Sequence, residues 1–114
     1  GVQTCALPIC DVSALLAKQA CREVVLQAAD AVDAQDYDAF VELFTEDATL
    51  VRPGGPELKG RAEILQAYRS KDPHRMTHHL ICNHQVTLTE PNKASSRCKV
   101  SNMDSVSCFS SDRT

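Results

Sequence analysis

A short break between two helical stretches, residues 34–36, most constrains how this chain can fold. Before the break, apolar residues recur at helical spacing over more than five turns, at Leu15, Leu16, Ala20, Val24, Ala28 and Val32. After it, Phe40, Leu43 and Phe44 recur at the same spacing, and Asp36 is well placed to cap this second helix. Because so short a connection turns the second helix back along the first, the sequence predicts a helical hairpin.

The residues after the hairpin predict a strand and a third helix. Residues 48–52 favour a strand, and the ProGlyGly sequence at 53–55 favours a turn. Gly60 precedes a helix that carries Ile64, Leu65 and Tyr68, and Pro73 ends it. The order so far is helix, helix, strand and helix.

Two antiparallel strands are predicted to complete the fold. Residues 78–88 alternate in polarity, ProAsn at 91–92 turns the chain, and residues 94–100 can return as a partner strand. The alternation places Leu80, Cys82, Val86 and Leu88 on one face and His79, Ile81, Asn83, Gln85 and Thr87 on the other. The expected class is α+β, with a curved antiparallel sheet packed on the helical hairpin and the third helix.

The two ends of the chain are expected to lie outside the domain. Residues 1–10 have no initiator Met, basic region or long apolar run, so they do not form a signal peptide, and they resemble a translated sequencing adapter. Residues 101–114 contain five Ser and little apolar periodicity, which is typical of a polar tail or of a frameshifted segment. The expected domain therefore spans residues 11–100, with the last strands of its sheet missing.

Composition limits the partners and the compartment. A net charge of −3 without a run of Lys or Arg argues against binding to nucleic acid or to an anionic membrane. No apolar run approaches the roughly 20 residues of a membrane span. Cys21, Cys82 and Cys98 show no C-x-x-C spacing and lie on apolar or small-residue stretches. These Cys are expected to be buried, reduced thiols in a cytoplasmic protein.

Four segments carry a resemblance to a known family, namely residues 33–40, 43–48, 59–65 and 77–83. Over residues 15–100 the chain resembles SnoaL-like domains of the nuclear-transport-factor-two-like superfamily, which includes scytalone dehydratase, a dehydrochlorinase, ketosteroid isomerases and polyketide cyclases. The resemblance implies a cone-shaped sheet around a pocket and chemistry without a cofactor on a small apolar or aromatic substrate. It also implies a homodimer or homotrimer.

The resemblance further implies a catalytic pair. In the dehydratase and dehydrochlorinase branch, an Asp at the end of the first helix acts with a His at the start of the long strand, and Asp33 and His79 stand at these positions. His78 is the alternative if the register differs by one residue. An imidazole suits proton abstraction at neutral pH because its ordinary pKa is near 6.5, and an adjacent carboxylate orients it and stabilises its charge.

Other residues are expected to line the pocket. Tyr37 or Tyr68 can polarise a substrate oxygen, and the full set of predicted substrate-binding residues is Tyr37, Phe40, Leu50, Tyr68 and Ile81. The four His of the chain, His74, His78, His79 and His84, do not predict a metal site. Neighbours on a strand point to opposite faces, and His78 and His84, the pair expected to share a face, are far apart along it.

Three functions follow from these patterns. The preferred one is a lyase of the dehydratase type or an isomerase that uses Asp33 and His79 in an apolar pocket, without a cofactor. The second is a non-catalytic module that binds a small apolar ligand or another protein. The third is an inactive fragment, because a sheet without its last strands leaves an unpaired edge.

Overall fold

A computed structural model describes residues 12–106, which form three helices and four strands. In chain order these are α1 (Val12–Asp33), α2 (Tyr37–Glu42), β1 (Thr49–Val51), β2 (Glu57–Lys59), α3 (Gly60–Arg69), β3 (Arg75–Glu90) and β4 (Lys93–Val106). The adapter-like residues 1–10 and the last part of the predicted tail lie outside the described residues. The α+β class predicted from the sequence is confirmed.

The predicted helical hairpin is present. Helix α1 is 22 residues long, about six turns. Gln35 then adopts a left-handed conformation with φ of 59°, which ends the helical path and redirects the chain. The side chain of Asp36 accepts a hydrogen bond from the backbone N–H of Ala39 at 3.2 Å, so Asp36 caps α2 as predicted.

The apolar face predicted for α1 is wrong in its first turns. Leu15 and Leu16 are 61% and 66% exposed, and Val24 is exposed as well. The helix approaches the core only through its C-terminal half, where Ala28 and Val32 pack against it. The helical spacing of apolar residues could not predict this exposure, because it shows which residues share a face but not which part of that face another element covers.

The core lies between the helices and the first pair of strands. Val41, Leu58 and the fully buried Ile64 occupy its centre. Phe40 joins α2 to α3 through a tilted ring contact with Tyr68, whose ring centroid is 4.7 Å away. Such aromatic pairs add to the burial of their apolar surface, so this contact helps to fix α3 against the hairpin.

The strands pair as two antiparallel hairpins, β1 with β2 and β3 with β4. Strand β3 begins three residues before the predicted start, and β4 continues six residues past Val100, into the segment assigned from the sequence to the tail. That extension pairs with the first part of β3, up to Arg75 opposite Val106. The residues that flank the candidate site are therefore in paired strands.

A β-bulge corrects the predicted faces of the long strand. Cys82 pairs with Lys99 and Gln85 with Arg97, so two residues of β3 oppose one of β4, and Asn83 has a left-handed φ of 52°. The extra residue shifts the alternation by one. The inward side therefore carries Thr77, His79 and Ile81 before the bulge and His84, Val86 and Leu88 after it, while Leu80 and Cys82 are exposed.

Cys21, Cys82 and Cys98 are free thiols, but none is fully buried and Cys82 is exposed, which corrects the prediction that all three are buried. Cys5, Cys10 and Cys108 lie outside the described residues. No helix in residues 12–106 is long and apolar enough to cross a membrane.

Candidate functional site

The last residue of α1 and the fifth residue of β3 meet in the structure. Oδ1 of Asp33 lies 2.5 Å from Nδ1 of His79, and both side chains are about one-fifth exposed. The backbone N–H of His79 also donates to Oδ2 of Asp33 at 2.9 Å. One carboxylate thus contacts both the ring and the backbone of the same residue.

Thr77 supplies a third hydrogen bond to this carboxylate. Its hydroxyl donates to Oδ1 of Asp33 at 2.8 Å. Burial raises the pKa of Asp33, but the hydrogen bonds from the backbone and ring of His79 and from Thr77, with the charge of the ring, outweigh burial and lower the pKa below 3.8. The group is therefore an ionised acceptor at neutral pH.

The state of Asp33 decides which nitrogen of His79 carries a proton. An ionised carboxylate only accepts hydrogen bonds, so Nδ1 must be the donor in this contact. Nε2 then keeps its lone pair in the neutral ring, and it makes no hydrogen bond within the described part of the chain. The arrangement leaves one basic nitrogen on a residue that borders a small space beside the strand.

That space is a partly open cavity of about 80 Å³. Its lining residues come from α1, the α1–α2 loop, the start of α2, the α3–β3 loop and strands β3 and β4: Val32, Gln35, Tyr37, Lys71, Asp72, Arg75, Thr77, His79 and Asn102. Most of these side chains are polar or charged, whereas the sequence predicted an apolar pocket. The volume holds about two to three water molecules, so it suits a polar group of a ligand rather than a whole aromatic molecule.

Of the other predicted site residues, some line this cavity or lie on its side of β3, and the rest belong to the core or to the exposed side of the strand. Tyr37 lines it, and Ile81 is on the same side of β3 as His79. Phe40, Leu50 and Tyr68 belong to the core or pack against it and are not among the lining residues. The alternative base, His78, is on the exposed side of the strand.

The two tyrosines keep their phenol protons. Burial raises the pKa of Tyr37, so its hydroxyl is a hydrogen-bond donor next to the cavity. Burial also raises the pKa of Tyr68, with the charge of Arg52 acting against burial and Tyr37 adding to it. The ammonium of Lys71 lies 4.1 Å from the centre of the Tyr68 ring, a cation–π contact that holds Lys71 at the cavity edge.

Sequence reasoning missed several lining residues. Thr77 could have been found, because a residue two positions before His79 on a strand shares its face. Asn102 could not, since it reaches the cavity through its register opposite His79 on β4. Gln35 donates to the carbonyls of Pro73 and Arg75 at 3.1 and 2.9 Å, a link between the two loops that no local pattern encodes.

Within residues 12–106 no group of three or more His, Cys, Asp or Glu is placed to hold a metal ion. The bulge brings His84, rather than His78, to the side of the strand that carries His79. The buried Nε2 of His84 has no hydrogen-bond partner there.

Solved structures of three bacterial proteins resemble this fold. A proposed aromatic ring hydroxylase from Novosphingobium aromaticivorans is 30% identical, with a TM-score of 0.68, over 76% of this chain and 64% of that one. Aln2 from a Streptomyces species is 16% identical, with a TM-score of 0.66, over 73% and 61%. ActVI-ORFA from Streptomyces coelicolor is 20% identical, with a TM-score of 0.59, over 80% and 71%. The chain thus spans less than two thirds of the first two proteins.

Comparison with curated proteins gives no match. The model of one protein family, described as the SnoaL-like domain, matches residues 13–112, which is most of the chain. The chain therefore belongs to the SnoaL-like domain family of the nuclear-transport-factor-two-like superfamily.

Proposed function

We propose that this domain belongs to a cofactor-independent enzyme, a lyase of the dehydratase type or an isomerase, in which His79 is the general base and Asp33 orients it. The contact of 2.5 Å between Oδ1 of Asp33 and Nδ1 of His79 carries the proposal. It restrains the ring of a residue that lines the cavity and leaves Nε2 as the basic nitrogen. General bases placed in this way accelerate proton transfer by about 10² to 10⁴.

The reaction begins with a proton on a carbon next to a carbonyl group. Nε2 of His79 takes this proton, and the electron pair of the C–H bond moves into an enolate. In a dehydration, the enolate then forms a carbon–carbon double bond and expels the hydroxyl from the next carbon, and this hydroxyl leaves as water with the proton from Nε2. In an isomerisation, Nε2 returns the proton to a different carbon of the substrate. Either route restores neutral His79.

The cavity lining supports a substrate with oxygen at its reacting end. Tyr37 offers a protonated phenol and Asn102 an amide, while Lys71 brings positive charge to the same small space. Hydrogen-bond donors and cations stabilise the negative charge that develops on an enolate oxygen. We therefore propose a hydroxy ketone or an unsaturated ketone, with an apolar or aromatic remainder outside the cavity.

A test needs a substrate panel and a matched pair of variants. The panel comprises ring-fused β-hydroxy ketones and β,γ-unsaturated ketones, followed by the ultraviolet absorbance of the conjugated product. Exchange of the α-hydrogen for solvent deuterium, measured by mass spectrometry, reports base catalysis even if no group leaves. We expect His79→Gln to lower the rate by about 10² to 10⁴. His78→Gln changes the exposed neighbour and should leave the rate unchanged.

Equal rates for the wild type and His79→Gln would contradict the role of His79.

The second candidate is a non-catalytic binding module. The cavity volume of about 80 Å³ is well below the roughly 300 to 1,000 Å³ of pockets that enclose a ligand, so the cavity does not exclude water from a whole substrate. This favours a module that holds only a polar group of its ligand. A wild type that binds members of the panel in calorimetry, without product or deuterium exchange, would establish this alternative.

We also propose that the protein forms a homo-oligomer through the outer side of the β3–β4 hairpin. Leu80 and Met103 are more than half exposed there, on a side of the sheet that no described element covers. Sedimentation velocity measures the mass directly, and a monomer at all concentrations would contradict this part of the proposal.

A further inference from the structure

The carboxylate of Asp33 is held by one short segment of β3. Thr77 and His79 are two residues apart, so their side chains lie on the same side of the strand. Oδ1 receives the Thr77 hydroxyl at 2.8 Å and contacts the ring of His79, while Oδ2 receives the backbone N–H of His79 at 2.9 Å. The three donors together leave the carboxylate little freedom to rotate.

We infer that Thr77 is a positioning residue: its hydroxyl fixes the carboxylate of Asp33 in the orientation that meets Nδ1 of His79 and keeps this carboxylate an acceptor. The inference deepens the proposed function, because it explains what holds the orienting group of the base. Thr77 acts on the reaction only through Asp33. Its contribution therefore differs from that of a residue that binds the substrate oxygen.

The hydroxyl matters because the backbone N–H of His79 alone does not fix the plane of the carboxylate. One hydrogen bond to Oδ2 leaves the group able to turn about its bond to the chain, which would move Oδ1 away from the ring. The Thr77 hydroxyl donates a hydrogen bond to Oδ1 that does not depend on the ring, so it holds the carboxylate in the plane in which the ring contacts Oδ1. A hydrogen bond to a charged acceptor also stabilises the ionised form, consistent with the lowered pKa of Asp33.

Other charged groups face the same space and must stay constant in a test. Lys71 and Asp72 come from the loop after α3, and Arg75 from the start of β3, and all three line the cavity beside His79. The test therefore compares proteins that differ only at residue 77, so the effects of these charged groups on Asp33 stay the same.

The chain offers a matched series of variants. Thr77→Val removes the hydroxyl and keeps the branched shape, Thr77→Ser keeps the hydroxyl, and Thr87→Val makes the same change on the exposed side of β3. Two readouts need no substrate. Carboxyl ¹³C NMR follows the titration of Asp33, assigned by its loss in Asp33→Asn. At neutral pH, proton NMR measures how long the Nδ1 proton of His79 survives exchange with water.

We expect Thr77→Val to move the titration of Asp33 upward and to shorten the lifetime of the Nδ1 proton about tenfold, as the loss of one hydrogen bond to a charged group implies. Thr77→Ser and Thr87→Val should behave as the wild type. Where a substrate is turned over, Thr77→Val should lower kcat about tenfold with KM unchanged, and Thr77→Ser should restore kcat.

A Thr77→Val protein with the titration and proton lifetime of the wild type would overturn the inference. So would a Thr77→Ser protein that behaves like Thr77→Val, since the methyl group rather than the hydroxyl would then matter. Both NMR readouts are independent of turnover. The inference about Thr77 can therefore fail while His79 remains the base, and it can hold even if no substrate is found.

Discussion

Replacing Asp33 by Asn should invert the protonation of the His79 ring while leaving the fold intact. The backbone N–H of His79 can only donate, so the amide oxygen of Asn must take the place of Oδ2, which accepts this bond at 2.9 Å. The amide nitrogen then stands where Oδ1 now contacts Thr77 and the ring. Its two hydrogens can reach the Thr77 hydroxyl and Nδ1, which must now accept. The proton of the neutral ring moves to Nε2, and the base is lost.

The size of each effect follows from this exchange of partners. All three hydrogen bonds can form again in Asp33→Asn, but their partner is a neutral amide instead of an ionised carboxylate. Hydrogen bonds to a charged group are stronger, so the change lowers the free energy of unfolding by about 1 to 2 kcal/mol. For a domain of this size the melting temperature then falls by roughly 5 to 15 °C. An Asp→Asn change that fixes the wrong tautomer in a Ser-His-Asp triad lowers kcat by about 10⁴. We expect a loss approaching this value for the panel substrates.

The assay is a ¹⁵N-resolved NMR experiment on the histidine rings near pH 8, together with a thermal melt. The resonance of His79 is assigned by its absence in His79→Gln. The wild type should show a protonated Nδ1, and Asp33→Asn a protonated Nε2. A folded Asp33→Asn protein that still carries its proton on Nδ1 would refute the argument, because the ionised carboxylate would not then be the group that sets the tautomer.

Three further changes test the core, the loops and the effect of pH. Ile64→Ala should lower the free energy of unfolding by about 2 to 5 kcal/mol because Ile64 is fully buried. Leu16→Ala, at an exposed position of α1, should cost less than about 0.5 kcal/mol in the same urea titration. Gln35→Ala should cost about 1 to 2 kcal/mol, through two lost hydrogen bonds to the α3–β3 loop, and should weaken ligand binding in calorimetry if this loop shapes the cavity. The lowered pKa of Asp33 stabilises the fold above pH 3.8, and this contribution is lost as the pH falls through the lower folded value, so the stability difference between the wild type and Asp33→Asn should shrink in acid.

The parts of the fold that depend on local chemistry could be predicted from the sequence. Asp36 caps α2 because a side-chain acceptor beside the first turn meets an N–H that has no other partner. The break before it needed only a residue able to enter the left-handed region, which Gln35 does. The approach of Asp33 to His79 was expected from a family resemblance, and the structure brings the two residues together.

The parts that depend on pairing between distant segments could not be predicted. The outward position of Leu15 and Leu16 reflects which elements reach α1, and the place of Asn102 reflects the register of β4. The polar character of the cavity has the same origin. Lys71 and Gln35 line the cavity from two loops that hydrogen bonds to backbone carbonyls hold together. Every residue has a backbone carbonyl, so the sequence does not indicate which carbonyls will accept these bonds.

The bulge at Asn83 has a consequence that deletion of this single residue can test. In the wild type, His79 and Val86 are seven residues apart, and only the extra residue of the bulge lets both face inward. Deletion of Asn83 makes the separation six residues, so an unbroken alternation keeps His79 beside Asp33 and Val86, which is 7% exposed, in the interior. We therefore expect the deletion variant to fold with the Nδ1 proton of His79 still in place by NMR. Asn83→Gly keeps the residue count and suits φ of 52°, so this variant should fold as the wild type does. A deletion variant that loses the Nδ1 proton, or about 2 kcal/mol or more of its free energy of unfolding in a urea titration, would show that the bend of the bulge, and not only its residue count, sets the faces of the strand.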